Sequence, residues 1–250
     1  MAQGNLGNCL EVIFPYEGGY VDHPRDPGGA TNMGITFSVL KSWRGTAITK
    51  QDVKNLTKAE AAEIYAKRYA NPLRFNDLPL GPDLPILDFG INSGISRSAK
   101  YTQAIVGVAQ DGQIGPQTLS ALSRMDRRDF IKKLCAKRLG FVQGLKIWDT
   151  FGKGWSRRIA HVEAKALSWV STKPQLQDDA KAARDKAIAQ GSGAAVGTGG
   201  GVGVDQAPDL GGLPVWVIVA VVVAIVVPLI IRAIINAQRA SALAAVAKEV

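Results

Sequence analysis

Cysteine and histidine are nearly missing from this chain, with two of each in 250 residues. Cys9 and Cys135 are too few for a disulfide scaffold and stand in no metal-type spacing. Each falls on an apolar helical face, where a buried and inert thiol is the expectation. His23 and His161 are too far apart in sequence to suggest a shared metal site. No metal and no cofactor is therefore implied. Basic residues interleaved with aromatics, the mark of many nucleic-acid binders, are also missing. So is a signal-peptide pattern, since Met1–Asn8 is polar and carries two glycines.

Charge of one sign is in excess in only part of the chain. Up to Lys173 there are 24 Lys and Arg against 15 Asp and Glu, and the remainder has six of each. The whole net charge of +9 thus sits on the first two-thirds. A basic surface suits a polyanion: nucleic acid, a membrane face, or a cell wall bearing carboxylates and phosphates. With no nucleic-acid motif in view, the wall ranks first and no nucleic-acid partner is expected.

This basic part reads as mainly helical. Thr49 with Asp52 and Thr57 with Glu60 match the capping-box pattern, and the second opens a helix expected to run to Asn71, before Pro72. Helical spacing or helix-start signals recur near 83–95, 97–109, 116–124, 127–143 and 155–171, and Ile159, Val162, Ala166 and Trp169 form one apolar stripe. Asp111-Gly112 and Gly115-Pro116 read as a tight turn into a helix whose first residue is Pro116. Strand-like candidates are confined to 20–37, which predicts a short hairpin beside a helical bundle. Trp43, Trp148 and Trp155 are either core residues or sugar-stacking platforms.

The most informative stretch is Glu17-Gly-Gly-Tyr20-Val-Asp-His-Pro-Arg-Asp26-Pro-Gly-Gly-Ala-Thr31-Asn32-Met-Gly-Ile-Thr36. It sets two carboxylates nine positions apart across a glycine-dense, proline-broken segment that is neither a plain helix nor a plain strand. His23 and Arg25 lie between the two acids and could hold one of them ionised. Two carboxyls in unlike environments, one protonated and one charged, are what glycoside hydrolysis uses.

The stretch resembles the start of the lysozyme-like muramidases, most closely glycoside hydrolase family 108. That family's Glu-Gly-Gly-Tyr, Asp-Pro-Gly-Gly-Ala-Thr-Asn and Gly-Ile-Thr motifs are all present. It is also similar in spacing to phage lysozymes, with Asn32 at their Thr position and Thr31 beside it. Phe89-Gly-Ile-Asn92-Ser-Gly94 and Asp111-Gly-Gln-Ile-Gly-Pro-Gln-Thr118-Leu resemble the helical peptidoglycan-binding half that follows such a catalytic region, and Phe151-Gly-Lys-Gly-Trp155-Ser-Arg157-Arg158 its usual end. The likeness covers roughly residues 5–170. It implies a lysozyme-like α+β fold, mainly α, and an endolysin-type N-acetylmuramidase of bacteriophage kind that cuts the β-1,4 bond between N-acetylmuramic acid and N-acetylglucosamine in peptidoglycan. By the same resemblance Glu17 is the general acid, Asp26 the ionised partner that stabilises the transition state or activates water, and Thr31 or Asn32 the group that orients that water. Tyr20, Thr36 and Asn92 are the expected sugar-binding residues. The alternatives are a non-catalytic, membrane-tethered wall-binding scaffold, or a lytic transglycosylase, against which Asp26 argues. Two departures stand out. Pro15 should kink the helix that delivers Glu17 or end it early, and Met33 puts a thioether near the expected water position.

After Lys173 comes a charged stretch that reads as helical or disordered, and the last sixty residues are of another kind. Gln190–Gly212 holds nine glycines in 23 residues and reads as a flexible linker. Leu213–Ile231 is a 19-residue run without a charge, roughly 28 Å as a helix and enough to cross a bilayer core. Arg232, Arg239 and Lys248 follow it, whereas the linker before it has Asp205 and Asp209. The positive-inside rule then puts the tail in the cytoplasm and the enzyme on the periplasmic side of a bacterial inner membrane. The expected partners are peptidoglycan, the lipid bilayer and a holin-like membrane protein. The expected divisions are a catalytic region at 1–85, a helical wall-binding region at 86–173, a charged then glycine-rich linker at 174–212, a transmembrane helix at 213–235 and a short tail at 236–250.

Overall fold

The computed structural model describes residues 2–22, 29–197 and 215–250, with side chains described outside 193–197 and 215–223. Helices dominate, and the described strands form one small antiparallel sheet. By their packing the residues form two compact units, Met1–Phe141 with Lys165–Val170, and Val142–Ala164 with Ser171–Val250.

The first unit opens with α1, Leu6–Glu17, which buries Cys9, Leu10, Val12, Ile13 and Phe14. Pro15 does not end it. The helix runs through Pro15 to Glu17, because the proline sits in the last turn on the exposed side and only one backbone donor is lost there. Gly18, at φ 78°, then turns the chain away. The hairpin follows as β1 (Thr31–Asn32) and β2 (Ile35–Thr36), with Thr31 opposite Thr36 and Asn32 opposite Ile35. Thr36 also caps α2, Phe37–Arg44, its hydroxyl accepting from the Val39 amide.

Helices α3 (Lys50–Lys54) and α4 (Lys58–Tyr65) follow, and their caps differ in a revealing way. Thr49 and Asp52 complete both halves of a capping box. Thr57 accepts from the Glu60 amide, but the Glu60 carboxylate goes elsewhere: Arg44 grips it with two hydrogen bonds of 2.8 and 2.9 Å and reaches Asp52 at 3.1 Å. One guanidinium thereby ties α2, α3 and α4 together. The Arg44 fork holds the Glu60 carboxyl below its ordinary range, and the Thr49 hydrogen bonds, helped by Arg44, do the same for Asp52. A depressed carboxyl contributes stability above its unfolded pKa and loses it as pH falls through the folded one. These side chains are partly exposed, so the Arg44–Glu60 pair is worth about 0.2–1 kcal/mol. Arg44→Met should therefore lower Tm by about 2–4 °C near neutral pH. The gap from wild type should close as the pH drops below the carboxylate range, which thermal unfolding against pH would show.

After α4 the backbone widens into a π-helical turn, Ala66–Ala70, and a 3₁₀ turn at Phe75–Asp77 leads into α5, Asp83–Ser93. Every residue from Asp83 to Gly90 is buried, which makes α5 the central helix of the unit. Two of these are acids that sequence spacing did not mark as interior. Asp83 accepts hydrogen bonds from Asn5 and from the Gly81 amide, and its burial pushes its carboxyl up. Asp88 pairs with the equally buried Arg138. Helices α6 (Ile95–Val106), α7 (Pro116–Arg124) and α8 (Arg127–Gln143) follow, with Pro116 in the first turn of α7 as the sequence indicates.

Helix α9, Trp148–Ser168, continues into α10, Lys173–Gly197, across a short break. The last helix, α11, is continuous over Val215–Glu249. Within it Ala224–Glu249 is long and apolar enough to cross a membrane.

Candidate active site

Glu17 is the last residue of α1 and projects over the β1–β2 turn. That turn has two central residues, Met33 at φ 48° and Gly34 at φ 72°, both left-handed, as a type I′ hairpin requires. Gly34 is needed there for a second reason. A Cβ on it would stand 2.9 Å from Glu17 Oε2 and 2.5 Å from the Tyr65 hydroxyl oxygen, so the bare glycine is what lets the carboxylate and the phenol close over the turn. Tyr65 is buried, its ring edge-on to Phe14 of α1 at 5.4 Å and tilted against Tyr69 at 5.3 Å. Its hydroxyl donates to the Met33 carbonyl at 3.0 Å. The helix end, the hairpin turn and α4 are therefore locked at one point, beside the acid.

Val21 and Thr31 exchange two backbone hydrogen bonds of 2.8 Å. Lys50 pairs with Asp22 at 3.0 Å. Asp26 and His23 fall on residues 23–28, outside the described residues. Thr31 is half-buried and its hydroxyl donates to the Gly29 carbonyl at 3.1 Å. Asn32 is buried and its amide nitrogen donates to the Val53 and Lys54 carbonyls, 3.1 Å each. Both amide protons thus serve to fasten the hairpin to α3, and only Oδ1 remains to orient a water. Tyr20 packs on the core with Lys54 Nζ 5.9 Å from its ring centre. The Thr36 hydroxyl serves the α2 cap and lies 3.0 Å from Ser38 Oγ. Asn92 is exposed on the last turn of α5, where Ser93 donates to its Oδ1 at 3.1 Å. Met33 serves through its backbone conformation and carbonyl, and its side chain packs on the core.

The structure thus brings Glu17, the turn 33–34 and Tyr65 together, with Thr31 and Thr36 paired across the same hairpin. Sequence reading missed Tyr65 and the role of Gly34. The signal for Gly34 is faint, because a two-residue turn announces itself best as Asn-Gly or Asp-Gly, and here it is Met-Gly.

Residues 10–94, which contain this whole arrangement, match the family model described as glycosyl hydrolase 108. Among solved structures the chain is similar to SagA of Brucella abortus, with 47% sequence identity and a TM-score of 0.59 over 66% of this chain and 95% of that one. No curated protein matches it.

Proposed function

The chain belongs to glycosyl hydrolase family 108 and is a glycoside hydrolase, and from that premise we propose that it is an N-acetylmuramidase that cuts the β-1,4 bond between N-acetylmuramic acid and N-acetylglucosamine. The observation that carries this reading is the Glu17 carboxylate held over the Met33–Gly34 turn, beside the Tyr65 hydroxyl. Glu17 gives its proton to the glycosidic oxygen as the bond to the anomeric carbon breaks. Asp26 stays ionised and stabilises the positive charge that develops on the sugar ring, or takes the proton of the incoming water. Thr31 and Asn32 Oδ1 orient that water. Tyr20, Thr36 and Asn92 hold the sugars on either side.

The α11 helix supports a membrane-attached enzyme, with the catalytic unit on the periplasmic side of the bacterial inner membrane and a role in wall degradation or phage-type lysis. A holin-like membrane partner belongs to the same reading. The positive-inside rule would leave the tail of a crossing helix in the cytoplasm.

The test is turnover of purified peptidoglycan, with mass spectrometry of the products. Reducing N-acetylmuramic acid ends support the reading. Ends with a 1,6-anhydro ring mean that water is not the acceptor and that the enzyme is a transglycosylase, and no turnover at all means a binding scaffold. Asp26→Asn should cost about 10²-fold or more in kcat, since an amide is nearly isosteric with the acid but carries no charge to set against the developing cation. Steady-state rates on wall fragments check this, and an unaffected kcat would take Asp26 out of the chemistry.

A further inference from the structure

Of the lysines at positions 50, 54 and 58, two are neutralised and one is not. Lys50 pairs with Asp22 at 3.0 Å and Lys58 with Glu11 at 3.2 Å. Lys54, the last residue of α3, lies between them in sequence and is exposed, and no acid among the described residues pairs with it. The acid nearest to it in the chain, Asp52, is taken by Arg44 and by Thr49.

Both ends of Lys54 are instead held against the start of the candidate site. Its Nζ stands 5.9 Å from the ring centre of Tyr20, within reach of the attraction between an ammonium and an aromatic face. Tyr20 is half-buried, packs on the main core and follows Glu17 by three residues, through Gly18 and Gly19. At the other end, Asn32 donates its amide to the Val53 and Lys54 carbonyls at 3.1 Å each. Asn32 closes the strand that leads into the Met33–Gly34 turn, over which Glu17 projects. In an antiparallel pairing the neighbours of bridged residues oppose each other, so the Val21–Thr31 bridge sets Tyr20 across from Asn32. The two partners of Lys54 are thus neighbours of one another, and its charge sits at a definite place beside them.

The polymer offers a group to match. In the alternating β-1,4 chain only muramic acid carries an acidic branch, a lactyl ether on C3 that ends in a carboxyl. That carboxyl is either free or joined by an amide bond to a stem peptide with carboxylates of its own, and N-acetylglucosamine has neither. The net charge of +9 already draws the enzyme to any acidic polymer over long range. Telling one sugar from the next needs a local contact, and one cation beside the cleft supplies it.

We propose that Lys54, set in place by Tyr20 and Asn32, is a specificity-determining residue that binds a carboxylate of the muramyl branch. This rests on the muramidase reading above and names the group by which the site selects its sugar. An ammonium is a compact point charge with three donors, so it accepts a carboxylate in several orientations, as a flexible branch requires. It contributes to binding and moves no proton, so its loss falls on KM and not on kcat.

The test uses the full chain in detergent, as wild type, Lys54→Met, Lys54→Arg and, to control for net charge, Lys58→Met. The substrates are glycan strands stripped of stem peptides, which bear the free lactyl carboxylate, strands with their stems intact, and both forms after amidation of their carboxyls. On the strands that carry the recognised group, Lys54→Met should raise KM about fivefold. Salt at about 0.5 M should shrink that difference, and amidation should remove it. Lys54→Arg should recover most of the loss. A loss on stripped strands assigns the lactyl carboxylate, and one confined to intact strands assigns a stem carboxylate. Unchanged KM on both charged forms overturns the proposal. A loss that survives amidation marks a structural role, and an equal loss in Lys58→Met marks general attraction, and either overturns it as well. Calorimetry of the same strands with Glu17→Gln and Glu17→Gln/Lys54→Met needs no turnover. Affinity about fivefold weaker in the double variant upholds the carboxylate contact even where the wild type hydrolyses nothing, a result that would overturn the muramidase reading alone. Equal affinity in the two overturns the role of Lys54.

Discussion

Glu17→Gln should abolish clearing of purified peptidoglycan while leaving the fold in place. The amide is nearly isosteric with the acid and can occupy the same position over Gly34, but it has no proton to give to the leaving oxygen. General acid catalysis is typically worth about 10²–10⁴-fold, and a loss in that range is expected in kcat, with KM for wall fragments little changed. Because Glu17 is half-buried at a helix end and lies outside the main core cluster, Tm should move by no more than about 2 °C. The combination is diagnostic. An inactive, folded protein identifies a chemical role, an inactive and unfolded one a structural role, and wild-type clearing removes Glu17 from the mechanism.

How far the sequence reaches is best seen in particular elements. The hairpin in 20–37, the capping box at Thr49 and the start of α7 at Pro116 were all legible, because each is decided by residues within a few positions of one another. What was not legible depends on distant partners. Thr57–Glu60 reads as a second capping box, yet the Glu60 carboxylate is claimed by Arg44, sixteen residues away. Helical signals are expected from 155, yet α9 begins at Trp148. Gly152 lies against the Trp148 ring, where a Cβ would come within 2.6 Å, so its role is close packing inside a helix. For the charged stretch after Lys173 the sequence left helix and disorder both open, and the burial of Leu176 and Ala183 in the second unit favours the helix of α10. The end of α11 carried a readable signal that composition masked. Ala240, Leu243, Val246 and Ala247 follow helical spacing, but in an alanine-rich segment after an apolar run they look like the fading of that run.

The candidate site divides along the same line. The motif named Glu17 and its neighbours, since motifs are local, whereas the support of the acid comes from α4 and could not be read without the fold. Gly34→Ala tests that support. At φ 72° an alanine pays about 1–2 kcal/mol for its left-handed conformation alone. Its Cβ would also stand 2.5 Å from the Tyr65 oxygen and 2.9 Å from Glu17 Oε2, so one of the two must move. Tyr65 is the less able to do so, with its ring fixed between Phe14 and Tyr69 and its hydroxyl on the Met33 carbonyl. The Glu17 carboxylate, at the end of its helix, is the group that yields, and a displacement near 1 Å can cost about 10²-fold in rate. Tyr65→Phe supplies the comparison. It removes the hydrogen bond to the Met33 carbonyl, worth about 0.5–1.5 kcal/mol, and leaves the ring in place. The two variants should lose similar stability by thermal unfolding, while Gly34→Ala loses about tenfold more of kcat. Equal rates in the two would mean that the space over Gly34 serves only the turn, and that Glu17 does not depend on it for its aim.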